Sequence, residues 1–99
     1  MSLLAIRAKI KPAAVEELQA AVAEMFAAIE RAEPDNIRYA SLRLADNVTY
    51  LIVLQIQDGT ENPLPEIPEF RQFQEGLGSW TDGPPEAGPA EVVGSYRLF

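Results

Sequence analysis

Five aromatic side chains, some with a hydroxyl or indole group, are the residues of this sequence best suited to chemistry. They are Tyr50, Phe70, Phe73, Trp80 and Tyr96. Apolar walls with a few hydroxyl or indole donors are what a flat organic ligand requires. Arg38 is placed where it could orient a phenolate or carboxylate, or extend to water at an edge. The set predicts a site for a small aromatic molecule; the alternative is that the rings are ordinary core.

The sequence also excludes several kinds of site. It contains no His and no Cys, so no Ser-His or Cys-His nucleophile can be built. The acidic residues lack the spacing of metal ligands, so we expect no metal. Gly76 and Gly78 have no preceding strand and following helix, so they form no phosphate loop. We therefore predict no cofactor and assign no catalytic residue; any acid–base step would use Tyr, Arg or a carboxylate.

Charge and hydropathy limit the partners and the location. The net charge is −7, and residues 58–91 hold eight acidic residues against Arg71 alone. An acidic half argues against nucleic acid and against anionic membranes as partners. No apolar run approaches the roughly 20 residues of a membrane span, and the first ten residues have no signal-peptide pattern. We predict a cytoplasmic protein.

Val48–Gln57 predicts a central strand, because it is rich in β-branched and aromatic residues and has no Gly or Pro. Tyr50, Ile52 and Leu54 share one side of it, and Leu51, Val53 and Gln55 share the other. The first side is fully apolar and the second is half apolar. Such a strand should be covered on both sides.

The remaining elements follow from periodicity and from Pro and Gly. Alternation predicts a strand over residues 3–10, and an apolar stripe predicts a helix from Pro12 to about Ala32. Residues 36–45 form a second strand, joined to the central one by an Asp46-Asn47 turn. A second helix runs from Pro68 to about Leu77, where Gly76 and Gly78 stop it. Residues 79–90, with Trp80, form a loop before a last strand over 91–99.

The order β-α-β-β-α-β predicts one α+β domain over residues 1–99, with a ferredoxin-like antiparallel sheet and both helices on one face. The basic residues Arg7, Lys9 and Arg43 would lie on the other face. That face is too apolar to be left in water, so we predict a homodimer in which two sheets pack together. The predicted interface comprises Leu51, Val53, Gln55, Val93, Arg97 and Phe99.

Several segments resemble the antibiotic-biosynthesis-monooxygenase-like family of dimeric α/β-barrel proteins. One runs from Ala32-Glu33-Pro34 through Tyr39 to Tyr50; another is Lys11-Pro12; a third is Pro68–Phe73, similar to the family's Pro-x-Phe-x-x-Phe helix start. The resemblance implies a dimeric barrel with a small cavity in each subunit. Some members of the family oxidise phenols without a cofactor, others degrade haem, and many have no known activity. The resemblance therefore leaves these alternatives open.

Departures from the family narrow these roles. The positions of the haem-degrading Asn, Trp and His correspond to Ile6, Leu64 and Gln74, so haem chemistry is not expected. Two functions stay open. One is a homodimer that binds a small aromatic or apolar molecule, as a cofactor-independent monooxygenase of phenolic substrates. The other is a non-catalytic structural or protein-interaction dimer with a filled cavity. A void of about 300 Å³ beside Tyr50, Tyr96 and Trp80 would favour the first.

Overall fold

The computed structural model describes residues 2–98 and confirms the ferredoxin-like arrangement. Four strands form one antiparallel sheet in the order β2-β3-β1-β4. The strands are β1 (Ser2–Lys9), β2 (Ile37–Arg43), β3 (Thr49–Ile56) and β4 (Glu86–Ala90), and the helices are α1 (Val15–Ala32) and α2 (Pro68–Trp80). Short 3-10 turns at Pro12–Ala14 and Leu64–Glu66 precede the helices.

Strand β3 is central, as its composition predicts, because it pairs with β1 on one side and β2 on the other. Its residues Tyr50, Ile52 and Leu54 are buried, and Tyr50 and Leu54 belong to the main hydrophobic core together with residues of both helices. On β1, Ala8 belongs to the same core. This side of the sheet is the helix-facing side, and we call the opposite side the open face.

Helix α1 ends where Pro34 predicts. Its buried residues Leu18, Met25 and Ala28 recur on one side of the helix. Glu33 then adopts a left-handed conformation (φ 48°), and its N–H donates to the carbonyl of Ile29 at 2.9 Å. This is a C-cap that satisfies a terminal carbonyl before the proline turns the chain away.

Helix α2 is longer than predicted, and its glycines do not stop it. The helix continues through Gly76 and Gly78 to Trp80, whose carbonyl accepts the N–H of Lys11 at 2.8 Å. A Cβ on Gly76 would lie 2.5 Å from Cη2 of Trp80. Gly76 therefore makes room for the indole one turn later instead of ending the helix.

The position of the last strand was predicted wrongly. Strand β4 is Glu86–Ala90, within the predicted loop, and residues 91–98 continue beyond it without joining the described sheet. Pairing with β1, for example Leu3 with Ala90 and Ile6 with Ala87, fixes this register. Pro89 is tolerated because β4 is an edge strand, where one N–H has no ladder partner. Phe99 lies outside the described residues.

Candidate functional site

A cavity of about 110 Å³ lies between the helix-facing side of the sheet and α2. Its walls are mainly apolar and aromatic, and its polar groups come from three residues of β2, α2 and the segment before α2. The lining residues are Leu4, Ile6, Tyr39, Ile52, Leu54, Asn62, Phe70, Phe73, Gln74 and Leu77. Leu4 and Gln74 are exposed, so the cavity reaches the surface.

Helix α2 supplies one wall because its apolar residues recur at helical spacing. Phe70 and Phe73 are buried, and Leu77 extends their side by one turn. The segment before the helix is held by Leu64, which is fully buried. The N–H of Leu64 donates to Oδ1 of Asn62 at 3.0 Å, which fixes the Asn62 side chain at the cavity.

Tyr39 lines the cavity from β2. Its ring stacks on Phe26, with centroids 5.1 Å apart, and its hydroxyl lies 4.0 Å from the sulfur of Met25. A thioether is a weak acceptor, so the hydroxyl can serve a stronger one. Burial raises the pKa of Tyr39 to about 12, and the phenol is therefore a neutral hydrogen-bond donor at physiological pH.

Tyr50 lies on the helix-facing side, beside the cavity but not in it. Its hydroxyl accepts a hydrogen bond from Nε2 of Gln19 at 3.0 Å. The void that it lines with Phe73 and Leu77 measures only about 10 Å³, hardly the room that one water molecule needs. The Tyr50 side chain is thus part of the packed core.

Trp80 is also used in packing. Its ring is buried, lies 6.0 Å from that of Phe73, and stacks over the backbone of Gly76. It is not among the residues that line the cavity. Among the described residues, the void that Tyr50 lines is therefore far smaller than 300 Å³.

Two predicted ligand residues lie away from the cavity. Arg38 pairs across the sheet with Gln55 and projects on the open face, not among the helix-facing residues. Tyr96, which falls in the last strand predicted over 91–99, lies beyond β4 and is 83% exposed; its ring contacts the guanidinium of Arg97 at 5.1 Å. Of the predicted set, the structure brings only Phe70 and Phe73 to the cavity.

The predicted interface residues divide between two segments. Leu51 and Val53 are half-buried on the open face, where they line a groove of about 410 Å³. Gln55 is buried next to them. Val93 and Arg97 lie beyond β4 and are exposed, and Phe99 lies outside the described residues.

The basic residues are also divided. Arg7 and Lys9 are exposed on the open face, as expected. Arg43 is not with them, because it pairs with Tyr50 and shares the helix-facing side at the end of β2. The open face therefore carries Arg38 in place of Arg43.

Sequence reasoning missed Tyr39, Asn62 and Gln74 as the polar groups of the cavity. Tyr39 was detectable, because a hairpin register that opposes it to Leu54 places it on the helix-facing side. Asn62 and Gln74 had no comparable signal, since their positions depend on how the proline-rich segment and α2 pack on the sheet.

Residues 2–98 contain no group of three or more potential metal ligands. No helix in this part of the chain has the length and apolarity needed to cross a membrane. The absence of a cofactor stays a prediction.

Comparison with known proteins gives matches at the level of structure only. No protein-family model matches the sequence, and no curated protein matches it significantly. A candidate antibiotic biosynthesis monooxygenase from Nitrosomonas europaea superposes with a TM-score of 0.74 at 17% identity, covering 94% of this chain and 99% of that one. A candidate of the same kind from Caulobacter crescentus gives 0.73 at 17% identity, with 94% and 90% covered.

A third structure carries a more specific description. SnoaB from Streptomyces nogalater, described as a cofactor-independent oxygenase, superposes with a TM-score of 0.68 at 17% identity, over 97% of this chain and 96% of its own. The chain has the fold of these monooxygenases. These matches confirm the resemblance that the sequence motifs suggested. At sequence identities this low, the similarity establishes the fold and not the activity.

Proposed function

We propose that this chain oxidises a small phenolic compound with molecular oxygen and without a cofactor. The observation that carries the proposal is the cavity beside α2, where Tyr39, Asn62 and Gln74 interrupt an otherwise apolar and aromatic wall. A few polar groups in an apolar pocket orient a flat organic ligand. The fold shared with a protein described as a cofactor-independent oxygenase supports the same activity.

The size of the cavity narrows the substrate class. Ligand pockets usually measure about 300–1,000 Å³, whereas this cavity measures about 110 Å³. A dry cavity of roughly 150 Å³ holds benzene. This cavity is smaller than that but opens to solvent past Leu4 and Gln74, so we infer that at most one ring enters, and only in part, with the rest of the substrate extending towards solvent.

The residues present suit a reaction in which the substrate supplies its own electrons. A phenol with a free para position reacts with O2 to give a quinone and water, so that one oxygen atom enters the ring and the other leaves as water. The neutral hydroxyl of Tyr39 would donate a hydrogen bond to the phenolate oxygen of the substrate. The apolar wall, with Phe70 and Phe73, would exclude water from the ring.

A panel of monocyclic phenols with a free para position and an anthrone, incubated under ¹⁸O2, tests the activity. The expected result is quinone formation above the buffer rate, with one ¹⁸O in the product and one in water. Tyr39→Phe should lower the rate about tenfold or more, as the loss of one hydrogen bond to a charged oxygen predicts. Tyr96→Phe, the same change on the exposed tyrosine, is the control. No rate above buffer with any compound would contradict the proposal.

A second function is favoured by one specific observation. Tyr50 and Trp80 are packed with almost no void, which is what a non-catalytic dimer with a filled cavity requires. Binding without turnover separates the two: an ¹⁹F-labelled phenol that neither shifts nor broadens in the presence of the protein would favour the structural role.

The proposed assembly is a homodimer that covers the open face. Leu51 and Val53 are apolar residues that the single chain leaves half-buried, and a second sheet would bury them. Light scattering after size exclusion should give twice the chain mass. Val53→Asp should dissociate or unfold the dimer at a cost of several kcal/mol, since a carboxylate would be buried without a partner. A variant that stays dimeric and equally stable would contradict this interface.

A further inference from the structure

A second cavity, of about 180 Å³, lies on the open face at the end of the sheet where β2 begins and β3 ends. It adjoins the apolar groove, and Arg38 lines both. Unlike the groove, this cavity has mainly polar walls, and we call it the polar pocket. Its lining residues are Asp35, Asn36, Ile37, Arg38, Gln55 and Gln57. None of them lines the cavity beside α2, so the polar pocket is a separate candidate site.

Gln55 is the buried polar side chain of this pocket. It lies in the central strand, between Leu3 on β1 and Arg38 on β2, and is only 5% exposed. Its Oε1 accepts no hydrogen bond from any described residue, and a buried unsatisfied acceptor is destabilising. A ligand that brings an N–H group to this oxygen would therefore gain more than one without a donor.

Two side chains of opposite charge accompany Gln55 in the polar pocket. The Asp35 carboxylate is exposed and forms no salt bridge within the described part of the chain. Nη1 of Arg38 donates to the carbonyl of Leu98 at 3.3 Å. A guanidinium has five N–H groups, so others remain for a ligand, and it can bind a carboxylate through two parallel hydrogen bonds. The polar pocket thus offers a partner for each sign of charge.

The spacing of these groups selects a ligand whose own charges lie close together. Arg38 and Gln55 are direct partners on neighbouring strands, and the Cβ atoms of such partners lie about 4.5–5.5 Å apart. A molecule that carries an ammonium and a carboxylate on one carbon atom can reach both side chains. A cavity of roughly 150 Å³ holds benzene, so about 180 Å³ leaves room for a short side chain on that carbon.

We propose that the polar pocket binds a small α-amino acid. The ammonium group of the ligand donates to Oε1 of Gln55 and lies beside the Asp35 carboxylate, and the carboxylate of the ligand binds the Arg38 guanidinium. The inference does not depend on the proposed oxidation, because the two cavities share no residue. It is also compatible with the proposed homodimer, whose apolar contacts Leu51 and Val53 do not line the polar pocket.

NMR titration of the ¹⁵N-labelled protein with glycine, L-alanine and L-serine tests the site. We expect saturable shifts of the side-chain amide of Gln55 and the backbone N–H of Arg38, while the signals of Phe70 and Phe73 stay in place. The dissociation constant should be at least about tenfold lower than for methylamine or acetate, which carry one charge each. Equally tight binding of either single-charge compound would overturn the proposal. So would the lack of a saturable shift up to about 50 mM amino acid, well above a millimolar dissociation constant.

Gln55→Met separates ligand binding from folding. Methionine has a similar length without a strong acceptor, and replacing an unsatisfied buried polar group by an apolar one is neutral or stabilising. The variant should unfold at the same or a higher urea concentration, while its dissociation constant for L-alanine rises about tenfold or more. Gln72→Met, the same change at an exposed position of α2, is the control and should alter neither. A variant that loses stability but keeps the affinity would contradict the role of Gln55.

Arg38→Gln tests the partner of the ligand carboxylate. Its dissociation constant for L-alanine should also rise about tenfold or more, whereas Arg43→Gln, at the other end of β2, should bind as the original protein does. Unchanged binding by Arg38→Gln would overturn the proposal. A second copy of the chain is the competing occupant. If the Gln55 signals shift with protein concentration and amino acids leave them unchanged, a partner chain fills the pocket and the proposal is wrong.

Discussion

The two sides of the sheet are built by the same strands, but the rest of the chain covers them to different degrees. On the helix-facing side, Tyr50, Ile52 and Leu54 are buried, and the cavity that remains measures about 110 Å³. On the open face, Leu42 is 49% exposed beside a groove of about 410 Å³. Because side chains alternate along each strand, both sides receive apolar residues, but one chain has helices for only one of them.

The polar groups on the two sides of the sheet also differ in how well neighbouring residues hold them. Tyr39 on the helix-facing side is held by Phe26 and Met25, so that its hydroxyl has a defined position. On the open face, Gln55 is buried without a partner for its Oε1 among the described residues. Preorganised groups suit ligand chemistry. The first side is accordingly where we propose chemistry, and the second is where we propose assembly.

The same leucine-to-alanine substitution on each side of the sheet should give the largest difference in the free energy of unfolding. Leu54→Ala, at a residue 7% exposed, should lower the free energy of unfolding by about 2–5 kcal/mol, because it removes transfer energy and leaves a cavity. Leu42→Ala should cost less than about 1 kcal/mol at concentrations where the chain is monomeric. Urea denaturation followed by Trp80 fluorescence measures both. Equal losses would remove the distinction between the two sides.

The glycines of α2 test how closely the helix-facing side is packed. Gly76→Ala should cost about 1–3 kcal/mol, because its Cβ would meet the Trp80 indole. Gly78→Ala is the control: nothing lies within 4 Å of its Cβ, and alanine in a helix should stabilise by about 0.5–1 kcal/mol. The fluorescence maximum of Trp80 should shift only in Gly76→Ala. Similar behaviour of the two variants would show that the indole is not held against Gly76.

Alkaline pH tests the burial of Tyr39. The folded pKa of Tyr39, about 12, lies above the ordinary tyrosine pKa of about 10, so the neutral phenol stabilises the folded state fully below pH 10. About 2 kcal/mol of this contribution should be lost as the pH rises towards 12. Tyr39→Phe should remove that part of the pH dependence, whereas Tyr96→Phe should not. A Tyr39→Phe profile that parallels the original protein would place Tyr39 in water.

The smallest effect is expected in the β2–β3 turn, which sets the register of both sides. Asp46 accepts hydrogen bonds from the hydroxyl and N–H of Thr49 and from the N–H of Val48. The hydroxyl bond first, and then the N–H bonds, lower the pKa of Asp46. The ionised carboxylate therefore adds stability above its unfolded pKa, and this stability is lost as the pH falls through the lower folded pKa.

Acid denaturation measures this contribution. Asp46→Asn should lessen the loss of stability below about pH 4, and Thr49→Val, which removes the hydroxyl donor, should change the acid profile in the same direction. Because Asp46 is exposed, the change should be the smallest of the four. An acid profile that neither substitution alters would show that these hydrogen bonds do not hold the turn.

The sequence predicted the order of elements and the sides of β1 and β3, because local alternation carries this information. It predicted less of the candidate site. Phe70 and Phe73 line the cavity, but Arg38 does not, since its side depends on the pairing with Gln55. Trp80 was placed in a loop because Gly76 was taken as a helix end, and only the position of the indole explains that glycine.

What the sequence determined by itself is the ferredoxin-like fold, because hydrophobic periodicity and proline positions act within short segments. Tertiary structure alone decided where β4 pairs, how far α2 extends and which polar groups meet at the cavity. These features depend on contacts between residues far apart in the chain, such as Leu3 with Ala90 and Lys11 with Trp80. Residues 91–98 likewise include residue types that favour strands but join no strand of the described sheet.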